Sequence, residues 1–268
     1  MSNPVNVKKT SSFARIIFSN YRKNLRKNRA NLFYGFSDVV KAARGRILDP
    51  AEYFVCEDKK LAYLVNSKVA CSSIKSALIS HNGYGTSPVN YIEVHKTAAE
   101  MGMSQQHLNM SQLSGLFTFT FVRDPFARLV SLYVNKFSRR EIFYNGFHFE
   151  HYLGGIIDQS FTFEQFVKVV SKIPDRMSDR HFKAQAFLIY DESPKIDYIG
   201  KMENLGNDYL NISKKYGLGD LPHINKSKKI NIAKYYDKKL LNIVGARYER
   251  DIELFGYASS YNAILKEI

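Results

Sequence analysis

One segment constrains the fold of this chain more than any other: an apolar strand that passes directly into a capped, amphipathic helix. Residues 116–122 carry phenylalanine at every second position with threonine between, which is the alternation of a β-strand. Asp124 can cap a helix, and Pro125 suits its first turn. From Phe126 to Phe137, apolar residues recur at i, i+3 and i+4. A strand followed at once by a helix predicts an α/β domain.

Other segments repeat this order of strand and helix. Short strands are predicted at residues 53–56, 61–66, 89–94 and 196–201, and helical spacing begins at Ile74 and resumes over residues 232–248. Strands that alternate with helices predict a central, largely parallel sheet flanked by helices. In such folds, ligands bind where strands end and loops turn into helices.

The positive charge of the chain is distributed unevenly. The sequence has 39 Lys and Arg against 25 Asp and Glu, a net charge of +14. Residues 1–50 hold eleven basic and two acidic residues, and residues 214–239 hold eight and two, so the remainder is nearly neutral. This distribution disfavours a protein that coats nucleic acid through a uniformly basic surface.

The composition changes at Asp49 and Pro50, which predicts a basic N-terminal extension over residues 1–50 and a domain over residues 51–268. The extension is expected to be helical, with an apolar face formed by Phe13, Ile16, Ile17, Tyr21 and Leu25. Such a face packs against the domain or contacts an anionic membrane, and an organellar targeting peptide is the weaker alternative.

The number of cysteines and the hydropathy of the chain indicate the cellular compartment in which the protein is expected. The chain has two cysteines, Cys56 and Cys71, and no run approaching the ~18 apolar residues that a membrane span requires. These counts disfavour a disulfide scaffold and a cysteine zinc site. We therefore expect a cytoplasmic protein, with peripheral membrane contact through its basic N-terminus as a further option.

The first candidate ligand-binding loop is formed by residues 67–73. Lys68 is followed by small residues and then by a helix, so a phosphate could approach the unpaired N–H groups of the helix N-terminus. The segment is not a Walker A loop, because the two glycines and the Gly-Lys-Ser/Thr ending are missing. By itself, such a segment is more typical of an ordinary tight connection.

The second candidate loop begins at Arg123. This arginine follows a buried strand, where a guanidinium can grip a phosphate, and Ser131 lies two turns along the next helix. The alternative is an ion pair between Arg123 and Asp124 that stiffens the turn. Taken alone, this segment supports the two interpretations equally.

Together, the two loops resemble the donor-binding segments of carbohydrate sulfotransferases of the chondroitin, dermatan and heparan type. Residues 61–75 (LAYLVNSKVACSSIK) are similar to the segment that binds the 5′-phosphosulfate, and residues 119–137 (FTFVRDPFARLVSLYVNKF) are similar to the 3′-phosphate segment almost residue for residue. Residues 197–205, 221–225 and 251–257 add supporting similarity in the family's order.

The resemblance implies a three-layer sandwich like that of P-loop NTPases and a sulfuryl donor, 3′-phosphoadenosine 5′-phosphosulfate, with no metal. It implies that Lys68 holds the 5′-phosphate and the bridging oxygen, and that Arg123 and Ser131 bind the 3′-phosphate. The residues expected to cradle the phosphosulfate are Val69, Ala70, Cys71, Ser72 and Ser73. The expected acceptor is a hydroxyl of a glycan or glycolipid.

A general base is also expected, because an acceptor hydroxyl is a poor nucleophile. His95 is the predicted base, since it follows the strand predicted at residues 89–94 and family members place a histidine in a comparable stretch. His107 is its nearest competitor. The other candidates are His148, His151, His181 and His223.

Three of these histidines have other interpretations. His148 and His151 flank Glu150, but two histidines and a glutamate without a third distant ligand predict a solvated loop rather than a metal site. His181 belongs to a stretch similar to the family's His-Trp-x-Pro-Gln, and it is expected to shape the acceptor cleft.

The sequence departs from the family pattern at several positions. Ser67 replaces the usual proline before the loop lysine, and Phe182 and Ala184 stand where Trp and Pro are common. These changes preserve the donor site and leave the acceptor open. The Golgi members carry a membrane anchor and usually several cysteines, so this chain resembles a soluble, bacterial relative.

Two other functions are the alternatives. A nucleotide or small-molecule kinase shares the layout, although the Walker A glycines and a magnesium-binding pattern are missing. A protein that binds nucleic acid or anionic lipid would use residues 1–50 and 214–239, but charge runs are usually solvated, so no nucleic-acid partner is expected. Lys226, Lys228 and Lys229 fit either a lid over the donor or a groove for an anionic acceptor.

Overall fold

The structure is a computed structural model that describes residues 29–58, 60–81, 91–137, 147–222 and 230–268. Several predictions concern residues outside these ranges. They are the apolar face of Phe13, Ile16, Ile17, Tyr21 and Leu25, the candidate base His223, and the lysines Lys226, Lys228 and Lys229.

Five strands form one mixed sheet. In chain order they are β1 (Glu52–Cys56), β2 (Leu61–Leu64), β3 (Ser104–Gln106), β4 (Phe117–Val122) and β5 (Tyr198–Lys201), and their order in the sheet is β3-β1-β2-β4-β5. The strand β4 pairs in parallel with both β2 and β5, as predicted. The strand β1 is antiparallel to both β2 and β3.

The prediction of a largely parallel sheet is therefore wrong for half of the pairings. The physical reason is the short connection between β1 and β2, in which Cys56 pairs with Leu61. A connection of this length can only return the chain as an antiparallel hairpin, because a parallel pairing needs a crossover of a dozen or more residues.

Helices cover the sheet and form a further layer beside it. Their bounds are α1 (Arg29–Ala43), α2 (Cys71–His81), α3 (Tyr91–Glu100), α4 (Pro125–Phe137), α5 (Phe163–Val170), α6 (Leu205–Tyr216), α7 (Lys238–Arg247), α8 (Glu249–Leu254) and α9 (Ala258–Glu267). The described part of the basic extension thus contains a helix, α1. None of the helices in the described ranges is long and apolar enough to cross a membrane.

The strand predicted at residues 89–94 is wrong where the structure describes it, because α3 begins at Tyr91. The apolar run is too short to separate a strand from a buried helix face. Val94 and Ala98 are buried four residues apart, while the side chains between them face outward to different degrees, which is helical spacing. The helix is therefore stabilised by one packed face.

The strand β3 was not predicted, and the composition of this strand explains why. The strand consists of three polar residues with no apolar alternation, and it adds to the edge of the sheet by pairing with β1. Backbone pairing with β1 defines this edge strand, and its polar side chains show no apolar alternation that would signal it.

Alternate side chains of β4 reach opposite faces of the sheet. Phe119 and Phe121 pack with apolar residues of α2, α3 and α6, and Val122 packs on the other face with a cluster that includes Ala186 and Tyr257. Both faces are therefore buried, which confirms the predicted α/β class with a sheet flanked by helices. The likeness to P-loop NTPases stays a prediction.

At Gly200 in β5, neighbouring atoms lie too close to leave room for a larger side chain. A Cβ atom added there would lie 2.5 Å from Cε1 of Phe121 and 3.2 Å from Cβ of Asp208. These neighbours belong to the packed core face and to α6, so they have little room to move.

We predict that Gly200→Ala lowers the free energy of unfolding by about 1–3 kcal/mol, because the methyl group overpacks the Phe121 ring. Gly206→Ala is the matched control, since its Cβ would meet nothing within 4 Å. The control should raise stability by up to about 1 kcal/mol, as alanine favours a helix over glycine. Urea unfolding of both variants measures the difference, and equal midpoints would contradict this account.

Candidate functional site

The candidate site lies at one edge of the sheet. The parallel strands β2 and β4 both end there, followed by Ser67-Lys68 and by Arg123. The guanidinium of Arg123 donates a hydrogen bond from Nη1 to the carbonyl oxygen of Lys68 at 3.1 Å. The two loops that the sequence singled out are therefore in direct contact.

The loop after β2 has an unusual backbone. Lys68 has φ 69° and Ala70 has φ 51°, a left-handed conformation that residues other than glycine adopt rarely. Between them, Val69 is fully buried and anchors the loop in the core. The helix α2 starts immediately afterwards, and Ile74 donates its N–H to Ala70. Left-handed residues leading into a helix N-terminus turn successive N–H groups toward one concave surface, which suits an anion.

The backbone of Arg123 is held by Gln185. The Gln185 amide accepts from the Arg123 N–H at 3.0 Å and donates to the Arg123 carbonyl at 2.8 Å. The side-chain oxygen of Gln185 also accepts from the Asn66 amide at 3.0 Å. The main-chain N–H of Gln185 donates to the buried carboxylate of Asp251. One side chain thus ties the ends of β2 and β4 to the C-terminal helices. Burial, opposed by Glu203, lowers the pKa of Arg123 while leaving it cationic at neutral pH.

Arg128 has a structural position rather than a ligand-binding one. Its guanidinium is buried and donates to the carbonyls of Ser67 at 3.0 Å, Lys183 at 2.8 Å and Arg180 at 2.9 Å. The capped start of α4 supports this arrangement, since Asp124 accepts from the Ala127 N–H at 3.0 Å. Arg128 therefore holds the loop after β2 against the segment that carries Arg180.

The other predicted donor residues lie on α2 and α4. Cys71 and Ser72 are half-buried at the start of α2, and Ser73 is buried in its first turn. Ser131 is half-buried on α4, about 9 Å of helical rise beyond Pro125. Ser131 and Arg123 therefore belong to the same strand–helix unit.

The two leading histidines occupy different elements. His95 lies on α3 rather than after a strand, with an exposed side chain, and desolvation and then the charge of Lys75 lower its pKa. His107 follows β3 with φ 58°, and β3 ends at Gln106 opposite Glu52. The strand-end position expected for His95 thus belongs to His107.

A cluster of charged side chains, which was not predicted from the sequence, lies at this edge of the sheet. Glu52 accepts from Lys75 at 2.6 Å, from Ser104 at 2.7 Å, and from the guanidinium of Arg180. Lys75 is fully buried, so its ammonium must be paired there. The sequence offered one signal, a lysine on the apolar face of α2, but its partners lie far along the chain.

A cavity of about 690 Å³ opens beside His107. Its wall includes residues of the N-terminal extension. Its charged and polar lining includes Lys41, Arg46, Tyr53, His107, Arg176 and Glu192. Glu192 is paired with Lys183 at 2.5 Å, and Lys41 lies 3.6 Å from Asp38, so the positive character of the cavity comes chiefly from Arg46 and Arg176.

Two further candidate histidines, His148 and His151, do not lie together. His148 lies beside Asp179 and His181 rather than with Glu150 and His151 as a ligand set. His151 instead stacks on Tyr34 of α1, with ring centroids 5.1 Å apart.

The family model described as the sulfotransferase family matches residues 51–258. The chain belongs to this family. Carbohydrate sulfotransferase 10 of Rattus norvegicus and of Homo sapiens are each 28% identical to it over 236 residues, which cover 76% of this chain and 66% of theirs. Carbohydrate sulfotransferase 11 of Danio rerio is 32% identical over 111 residues, 38% of this chain and 31% of that protein.

The resemblance to carbohydrate sulfotransferases predicted from the two loops is thereby confirmed. The alignment spans just under two thirds of the length of the first of these relatives. No solved structure matches the sulfotransferase chain.

Glu52 generates a prediction on pH. Burial alone would raise its pKa, but Lys75 and Arg180 lower it from the ordinary 4.5 to about 2. The folded state therefore binds protons more weakly than the unfolded state. The resulting stability, about 3 kcal/mol, is fully present above pH 4.5 and is lost as the pH falls toward 2.

We predict that Glu52→Gln removes this part of the acid dependence. The gap in unfolding free energy between wild type and variant should shrink as the pH falls from 5 toward 2, as measured by urea unfolding at each pH. Glu57→Gln, on the exposed turn of the same hairpin, is the control and should keep the wild-type profile. A constant gap for Glu52→Gln would argue against the ion-pair cluster.

Proposed function

We propose that this chain transfers a sulfuryl group from 3′-phosphoadenosine 5′-phosphosulfate to a hydroxyl of a glycan or glycolipid. The observation that carries the proposal is the hydrogen bond between Arg123 and the Lys68 carbonyl, which joins two anion-binding loops at one edge of the sheet. Membership of the sulfotransferase family and the carbohydrate sulfotransferases among its relatives support the same reaction.

The loop after β2 fits the phosphosulfate of the donor. Its left-handed residues and the start of α2 form a concave row of N–H donors, and small side chains line it. In the proposed reaction the acceptor oxygen bonds to sulfur while the bond from sulfur to the 5′-phosphate oxygen breaks. Lys68 stabilises the charge that grows on that leaving oxygen, and the N–H groups from Ala70 to Ser73 hold the phosphosulfate.

Arg123 is proposed to bind the 3′-phosphate, with Ser131 adding a hydroxyl. The main chain of Arg123 is held on both sides by Gln185, so the guanidinium projects from a rigid base. A fixed guanidinium presents its donors in the planar geometry that a phosphate accepts. This phosphate is the feature that distinguishes the donor from ATP.

His95 is the proposed general base, and His107 is its competitor. A base must be neutral to accept the acceptor's proton, and the lowered pKa of His95 keeps it so at neutral pH. The charges of Lys75, Glu52 and Arg180 all act on His95, which supports a position facing the charged cluster. Two observations favour His107 as the base instead. It follows the end of β3, and it forms part of the cavity wall.

The cavity beside His107 is the proposed acceptor site. It borders β1 and β3 at the edge where the two loops meet, and Lys41, Arg46 and Arg176 line it. Three cations favour an acceptor that carries carboxylate or sulfate groups.

We predict that Arg123→Ala weakens binding of 3′-phosphoadenosine 5′-phosphate about 10- to 100-fold, because a charge-assisted phosphate contact is lost. Isothermal titration calorimetry measures the affinity. Arg46→Ala, which removes an exposed arginine from the cavity wall, is the control and should leave this affinity unchanged. Absence of nucleotide binding by the wild type would overturn the proposal, and preferential binding of magnesium–ATP would favour a kinase.

We predict that His95→Ala keeps nucleotide affinity but lowers kcat by about 10²–10⁴, the usual contribution of a general base. The assay follows nucleotide release from the donor in the presence of a panel of acidic and neutral glycans. His107→Ala is measured in parallel. Normal turnover in His95→Ala together with a loss in His107→Ala would transfer the role of base to His107.

A further inference from the structure

A second group of ionisable side chains lies outside the proposed donor site. His148 Nε2 is 3.3 Å from one carboxylate oxygen of Asp179, and His181 Nδ1 is 2.7 Å from the other. One candidate ligand atom from each of the three residues lies within 4.8 Å of the other two. The imidazole rings stand nearly perpendicular, at 81°, with centroids 4.7 Å apart.

We propose that His148, Asp179 and His181 bind a divalent transition-metal ion of the zinc class. Two imidazole nitrogens and one carboxylate oxygen are a common protein ligand set for zinc, with a fourth position left for water. The exposed position of His148 at the rim of the cluster gives an ion access from solvent.

The spacing of the ligand atoms suits an ion of this size. Zinc binds nitrogen and oxygen at about 2.0–2.2 Å, which puts neighbouring ligands of a tetrahedron roughly 3.3–3.5 Å apart. The contact between His148 and Asp179, at 3.3 Å, already has this spacing. The contact between His181 and Asp179, at 2.7 Å, involves the other carboxylate oxygen. The three ligand atoms lie within 4.8 Å of one another, so they must shift by roughly 1 Å to reach the tetrahedral spacing.

Lys136 is a cation near the cluster, and its charge acts on both Asp179 and His181. It therefore competes with a bound ion for Asp179.

Hydrogen bonds outside the cluster hold two of the ligands in place. The Asp179 N–H donates to the hydroxyl of Tyr152 at 3.2 Å, and the Asp179 carbonyl accepts from the main-chain N–H of Lys183 at 2.9 Å. Arg128 binds the carbonyls on both sides of His181, those of Arg180 and Lys183. Outer contacts of this kind orient ligands before the ion arrives. His148 comes from a separate segment, so an ion would clamp the two segments together.

A metal ion here would contradict the expectation, drawn from the family resemblance, that the protein holds no metal. The ion has no role in the proposed sulfuryl transfer. The ion would stabilise the segment of Asp179 and His181, which Arg128 packs against the loop after β2. Any ligand that binds the folded state alone raises its stability. Binding of the ion is therefore measurable without an acceptor or donor.

Cobalt titration of the full chain, prepared without a polyhistidine tag, tests the site. Co²⁺ replaces Zn²⁺ in nitrogen and oxygen sites and absorbs visible light when bound. The wild type should show one saturable equivalent, which Zn²⁺ displaces. His148→Ala should weaken cobalt binding by more than about 10-fold, which is the smallest effect expected when a metal ligand is disturbed. His151→Ala, three residues along, is the matched control and should bind as the wild type does.

A second measurement identifies the ligands of the bound ion directly. Zinc-edge X-ray absorption of the loaded protein should show two imidazole ligands, and His148→Ala should show fewer. Circular dichroism checks that the variants are folded. Absence of a saturable cobalt site in the wild type overturns the proposal, as does equal binding by folded His148→Ala or a spectrum without imidazole. Nucleotide titration in the same samples tests the donor site separately.

Discussion

The buried guanidinium of Arg128 is the interaction on which the rest of the site depends. A cation inside a protein is tolerated only when its donors are satisfied, and Arg128 donates to the carbonyls of Ser67, Arg180 and Lys183. These carbonyls come from segments far apart in sequence, so satisfying one side chain brings both loops together. The start of the loop after β2 is therefore held in place by an arginine that α4 supplies.

The charges of this edge are largely neutralised by one another. Arg180 binds both Asp49 and Glu52, while Lys75 binds Glu52 and Lys183 binds Glu192. Buried pairs of this kind gain little net stability, but removing one partner is costly, so they enforce a single arrangement. Pairing also limits their effect on a bound anion. The large positive charge of the chain is therefore a poor guide to the site, whose proposed anion contacts come from Lys68 and Arg123.

The predictable parts of the molecule are those encoded over short distances. The strand β4, Arg123 and the cap of α4 follow from local alternation, one charged residue and one Asp-Pro pair, and all lie where the sequence predicted them. The helix at α3 was mistaken for a strand because its apolar run is short. Gln185 and Arg128 gave no local signal for their roles, since their partners lie more than fifty residues away. Contacts between distant segments decide these positions.

The extension and the domain meet at the proposed acceptor cavity. The family match begins at residue 51, yet Lys41 and Arg46 form part of the cavity wall. Arg176 holds this wall in place by donating to the carbonyl of Gly45 at 2.8 Å and accepting from the Leu48 N–H at 2.9 Å. The two proposed donor loops thus lie within the family match, whereas the cavity also uses residues beyond it. For the proposed reaction, acceptor preference can therefore change through the extension while donor binding stays the same.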